Sequence, residues 1–245
     1  MRAESFLRAT MLALSVLATG PALAQGKPPT QEERLFDAID EGKELVAEGL
    51  MVRGKLDYNA RNANGETALH RATEKGMKVL ARALLAAGSS VRARSGTGET
   101  ALHIAALHAD PALTQMMLAA GADAKARNDE GESALHWAAL SGNVAVASLL
   151  LAAGADPDLA DLKGNRPLHA AADSGSSEMV RAILERASDP KARNREGRSA
   201  EDVARERDRP DVAELLAKAS ARPARPAGGS NYGTIDIDLQ PKERF

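Results

Sequence analysis

Gly98-Glu-Thr-Ala-Leu-His-Ile-Ala105 is one of four copies of an octapeptide that decides the fold. The others are Gly65-Glu-Thr-Ala-Leu-His-Arg-Ala72, Gly131-Glu-Ser-Ala-Leu-His-Trp-Ala138 and Gly164-Asn-Arg-Pro-Leu-His-Ala-Ala171, at a constant spacing of 33 residues. A decayed fifth copy, Gly197-Arg-Ser-Ala-Glu-Asp-Val-Ala204, keeps the phase. Self-similarity at this period signals a stacked solenoid, in which each unit buries its apolar face only against its neighbours.

Inside each unit the pattern reads helix, tight turn, helix, loop. In the third, Ser133 caps a first helix running to about Leu140, Ser141-Gly-Asn143 turns the chain, and Val144 to Ala152 forms a second helix that Gly154 stops. Gly88 and Gly121 are its counterparts, whereas Ala187 and Ser220 take that place in the last two repeats, which predicts weaker or differently shaped helix ends. Leu69, Leu102, Leu135 and Leu168 line the first helices, and Leu84, Met117, Leu150, Ile183 and Leu216 the second. Ala72, Ala105, Ala138 and Ala171 stand where helices must approach closely. The reading is an all-α solenoid over residues 65–220, its last repeat a C-terminal cap, with a thin aliphatic core that suits a chain holding only three Phe, two Tyr and one Trp.

Residues 30–64 form a unit without the octapeptide. Leu35, Phe36 and Ile39 recur at helical spacing among charged neighbours, Lys43 to Met51 reads as a second helix, and the unit is expected to be an N-terminal cap, apolar inward and polar outward. Residues 1–24 read as a signal peptide: Arg2 and Arg8, an apolar Met11 to Ala18, and Ala22-Leu-Ala24 before Gln25. That apolar run is shorter than the roughly 20 residues that span a bilayer, so a cleaved leader and an exported, periplasmic chain without a membrane segment are expected. Cleavage would move the net charge from −2 to −3, which gives no electrostatic case for nucleic acid. The chain has no Cys, hence no disulfide and no thiolate metal site. Residues 221–245 read as a flexible Arg/Pro/Ala/Gly tail with a short strand expected at 234–239, where Ile235, Ile237 and Leu239 alternate with polar residues.

Period, octapeptide and two-helix anatomy together resemble the ankyrin repeat, whose signature is a Thr-Pro-Leu-His-x-Ala unit of this length. The matching stretches are Thr67-Ala-Leu-His70, Thr100-Ala-Leu-His103, Ser133-Ala-Leu-His136 and Arg166-Pro-Leu-His169, with Gly121-Ala-Asp123 and Gly154-Ala-Asp156. The resemblance covers residues 32–220. It implies that the motif histidine hydrogen-bonds around the turn at the helix start, and that partners are bound on the concave face. Three places depart from the pattern: Arg71 stands where an apolar residue is usual, Ala109-Asp-Pro111 replaces the inter-helix Gly, and Ser199-Ala-Glu-Asp202 has lost Leu-His.

The four histidines invite a zinc reading, which geometry opposes. Stacked helices lie about 8 to 10 Å apart, whereas two nitrogens on one zinc lie within about 4 Å of each other. No nucleophile, base and orienter come together in the sequence, and Gly228-Gly229 has no strand before it or helix after it, so no phosphate loop is read. We therefore assign no catalytic, cofactor or metal residues. Arg61, Arg94, Arg127 and Arg193 form a basic row along the loops, with Arg92, Lys125 and Lys191 in a second phase. An anionic partner is one reading of that row. Solvating charge fits better, because Asp158, Ala160 and Asp161 interrupt it.

The resemblance places Glu66, Glu74, Lys75, Glu99, Leu107, His108, Glu132, Leu140, Ser141 and Asn165 on the concave face, with Arg94 and Arg127 at the loops, and these twelve are the candidate partner contacts. Acidic residues beside apolar Leu107 and Leu140 suit protein recognition. Trp137, one residue after a motif His, reads as packing between repeats. The function expected is non-enzymatic protein binding by a monomer: a scaffold or modulator of an envelope protein, alternatively an immunity-type inhibitor of a toxic enzyme, and less so a hydrolase with an unrecognised site.

Overall fold

The computed structural model describes residues 28–187 and 189–221. The signal peptide expected at 1–24 and the strand expected at 234–239 lie outside the described residues.

Twelve helices follow one another among the described residues, two per unit. The first helices are α1 (Gln31–Asp40), α3 (Ala68–Glu74), α5 (Ala101–Leu107), α7 (Ala134–Ser141), α9 (Pro167–Ser174) and α11 (Ala200–Glu206). The second helices are α2 (Glu44–Arg53), α4 (Lys78–Ala86), α6 (Pro111–Ala119), α8 (Val144–Ala152), α10 (Ser177–Leu184) and α12 (Pro210–Ser220). Each first helix packs on its own second helix and on the first helix of the next unit, which is the solenoid the repeat implies. The leucine and alanine ladders lie in one continuous core: Leu69, Leu84, Leu135, Met117, Leu150, Ile183 and Leu216 are fully buried. The four motif alanines are fully buried too, at the close approach expected of them.

Helix ends follow the turn residues. Gly88, Gly121 and Gly154 adopt left-handed φ of 96°, 86° and 89° just past α4, α6 and α8. Without that glycine α10 stops a residue early at Leu184, and α12 runs on to Ser220. Between the helices of a unit the chain again needs a left-handed residue, supplied by Gly76, Gly142 and Gly175 at φ 68°, 72° and 79°. In the second repeat Ala109 does this at φ 54°. A Cβ makes this conformation cost about 1 to 2 kcal/mol. Part of that cost is offset because alanine has less chain entropy to lose than glycine. Ala109→Gly is accordingly expected to stabilise the stack by about 1 kcal/mol, read as a higher denaturation midpoint. An unchanged or lower midpoint contradicts the strain.

One expectation needs correction. The first unit is not polar outward throughout, since Leu45 and Val52 on α2 are 83% and 87% exposed and Val46 is exposed with them. The cause is in the sequence of α2, ELVAEGLMVR, which has apolar residues on every side, and of which the core takes only Ala47 fully.

Candidate functional site

The octapeptide folds into a fastener. At the start of α5 the Thr100 backbone N–H donates to His103 Nδ1 at 3.2 Å, and the Thr100 hydroxyl lies 2.9 Å from the same nitrogen. On the far side of the ring, His103 Nε2 lies 3.2 Å from the carbonyl oxygen of Glu132 in the next repeat. A carbonyl only accepts, so the proton is on Nε2 and Nδ1 is the acceptor: the imidazole is neutral. His70 and His136 repeat the arrangement, onto the carbonyls of Glu99 and Asn165, each at 3.1 Å. His169 reaches the Arg198 carbonyl, also at 3.1 Å, but its helix starts with Arg166 and has no hydroxyl to offer. Burial lowers the pKa of all four rings, and that of His103 to about 4. Both ring nitrogens are thus engaged, one within the repeat and one between repeats.

Asp202 holds the histidine place in the fifth repeat. Its Oδ2 accepts from the Ser199 N–H at 2.9 Å and from the Ser199 hydroxyl at 2.8 Å. A carboxylate performs the local, accepting half of the fastener and has no proton for a following carbonyl.

A second ladder runs along the loops. Arg94 Nη1 donates to the Arg127 carbonyl and Arg127 Nη2 to the Ala160 carbonyl, each at 2.7 Å, and Arg61 reaches the Arg94 carbonyl in the same way. Each arginine therefore binds the backbone of its own counterpart one repeat on. Ala160 interrupts the row: in its repeat Arg166 pairs instead with Asp158 at 2.9 Å, and in the next Arg193 pairs with Asp202 at 3.0 Å. Loop tips are joined as well: the N–H groups of Gly96, Asp129, Leu162 and Arg195 donate to carbonyls of Asn64, Thr97, Glu130 and Lys163 at 2.9 to 3.1 Å. Gly164 turns at φ 78°, and a Cβ there would meet the Arg195 nitrogen at 2.9 Å.

On the face that the resemblance assigns to partners, Glu66 is 5% exposed, accepts from Asn62 Nδ2 at 2.7 Å and lies 4.0 Å from Arg71 Nε. Arg71, largely buried, also binds Asp40 and Glu74, so the unusual residue after His70 fastens the first unit to the second. Glu132 accepts from Asn128 Nδ2 at 2.9 Å and from Trp137 Nε1 at 2.8 Å, and the half-buried Trp137 meets the His103 ring edge-on with centroids 5.6 Å apart. Leu107 is half-buried, Leu140 is 42% exposed, and Lys75, His108 and Ser141 are exposed.

A model of ankyrin repeats, in three copies, matches residues 35–128 and 107–194, more than half of the chain. The chain belongs to the ankyrin-repeat family. A comparison with curated proteins returned no match.

Within this ankyrin array the twelve candidate contacts divide by what the stack already uses. Glu66 is buried and internally bonded, and Glu74 is paired with Arg71. Arg94 and Arg127, with Arg61, serve the loop ladder, which accounts for these three members of the basic row better than either an anionic partner or solvation. The Ser141 hydroxyl donates to the Ala138 carbonyl at 3.0 Å, and Asn165 binds Asp161 and Asn194. Glu132 is oriented by its two donors but keeps partial exposure. Lys75, Glu99, Leu107, His108 and Leu140 remain the residues the array does not consume. Leu162, 52% exposed at a loop tip where the other repeats carry Ala63, Gly96, Asp129 and Arg195, was not among the sequence candidates. Its signal was present: it is the one large aliphatic side chain in that column.

Proposed function

We propose that the chain is an exported, non-enzymatic protein-binding module that holds an envelope or periplasmic protein against the middle of its concave face. Membership of the ankyrin-repeat family supports protein binding, and the leader-like residues 1–24 support export. The observation that carries the choice of face is Leu140, a large aliphatic side chain left 42% exposed on a helix whose other apolar positions are spent on the core. Central apolar residues within a polar rim are the usual anatomy of a protein interface.

Cross-linking capture by the purified mature chain from the periplasm of the producing cell tests this. Glu99→Arg combined with Leu140→Arg is expected to reduce capture at least tenfold, about 1.4 kcal/mol or more, while the melting temperature stays nearly unchanged. Undiminished capture moves the site off this face. One enzyme held tightly would identify an inhibitor, and several weaker partners a scaffold.

A further inference from the structure

Glu99 is set apart from its counterparts in the neighbouring repeats. Glu66 and Glu132 each receive an amide proton from an asparagine four residues earlier, Asn62 and Asn128. The second repeat has Ser95 in that place, and its hydroxyl is engaged with the Thr97 side chain at 2.9 Å and with the N–H groups of Thr97 and Glu99 at 3.3 and 3.2 Å. The half-buried carboxylate of Glu99 is left with the Thr97 hydroxyl as its side-chain partner and with Glu66, Glu132 and Glu130 as its charged surroundings. Burial, followed by those three carboxylates, pushes its pKa up. Among the described residues no cationic side chain forms an ion pair with it.

Of the cations on this side, the exposed Lys75 at the end of α3 forms no ion pair with Glu99 or Glu132 among the described residues, and three arginines are committed. Arg71 is held by Asp40 and Glu74, Arg198 by Glu206 and Arg207 by Asp173, toward the two ends of the face. The middle therefore combines uncompensated negative charge at Glu99 and Glu132 with apolar ground at Trp137, Leu107 and Leu140. The seven-residue α5, which follows Glu99 and Thr100 and ends at Leu107, is about 10 Å long, a length that about three residues of an extended partner or two turns of a partner helix span.

From this charge pattern we infer that the centre of the concave face docks a protein segment carrying an Arg or Lys beside an apolar side chain, the cation on Glu99 and Glu132 and the apolar group over Trp137 and Leu140. This rests on the protein-binding reading above and adds the chemistry of the partner. An incoming cation relieves repulsion that the array leaves in place, and it does so where burial weakens solvent screening. Negative charge at the centre disfavours nucleic acid and acidic lipid surfaces.

Selection of random short peptides displayed on phage against the wild-type chain tests the inference. Peptides with Arg or Lys next to an apolar residue are expected to enrich. Their affinity should fall about tenfold on Glu99→Gln and also as salt is raised, with no fall in melting temperature, since the substitution removes a repelled charge. Enriched peptides that are acidic or neutral, and that still lose binding on Leu140→Arg, overturn the cationic partner and leave the face standing. Enriched peptides indifferent to Leu140→Arg overturn the face as well. Failure of any peptide to enrich counts against this inference, and capture from the native periplasm then judges protein binding separately.

Discussion

His103→Ala is expected to cost about 4 kcal/mol of unfolding free energy. The ring is fully buried, and its removal leaves the Thr100 N–H without an acceptor and the Glu132 carbonyl without a donor. Each unsatisfied buried group costs about 1 to 3 kcal/mol, and the vacated volume adds a cavity term. The edge contact with Trp137 is lost as well. Because Nε2 bridges to the next repeat, the loss falls on the interface between the second and third repeats. In a one-dimensional stack, weakening one interface reduces cooperativity along the array. Urea unfolding should show a lower midpoint and a broader or split transition. A loss under about 1 kcal/mol would mean that water replaces the ring without penalty.

Acidification is expected to destabilise the chain well before its carboxylates titrate. Burial holds all four motif histidines below their ordinary 6.5, and His103 at about 4. The folded state therefore binds fewer protons than the unfolded state throughout that window. The stabilisation is complete above the unfolded value of 6.5 and is lost as pH falls through the folded values. For His103 the interval from 6.5 to about 4 corresponds to about 3 kcal/mol, and the other three act in the same direction. Glu99 opposes this weakly, because its raised pKa favours protonation in the folded chain. Asp110 and Asp202, with lowered pKa, add to the loss only below their ordinary 3.8. Denaturation midpoints measured from neutral pH down to about pH 4 should decline steadily. A flat profile across that range contradicts buried, neutral imidazoles.

The fold was legible wherever one residue type repeats with one task. Leu102 and its counterparts, the motif alanines and Gly154 mark core, close approach and helix end by side-chain size or backbone conformation alone, so each helix pair could be placed from the octapeptide. The arginine row was visible but its use was not, because Arg61, Arg94 and Arg127 bind main-chain carbonyls, and a carbonyl acceptor has no sequence signature. The acidic column was half legible. Glu66, Glu99 and Glu132 are identical in phase, and what separates them is the residue four places earlier, Asn, Ser or Asn, a pattern readable only once that side-chain bond is known. Exposure of Leu45 and Val52 escaped for the opposite reason: among the described residues no further helix packs on the outer side of this first unit, and apolar pattern alone does not say which side that is.

The division between a fastening octapeptide and a binding face depends on His103 being neutral, with its proton on Nε2 and shared with the next repeat. Nitrogen NMR of the histidine side chains reads this directly. We expect His103 to show the Nε2–H tautomer at neutral pH and to stay uncharged until about pH 4. An Nδ1–H tautomer, or titration near the ordinary 6.5, would contradict the fastener and return the repeated histidines to the list of functional candidates.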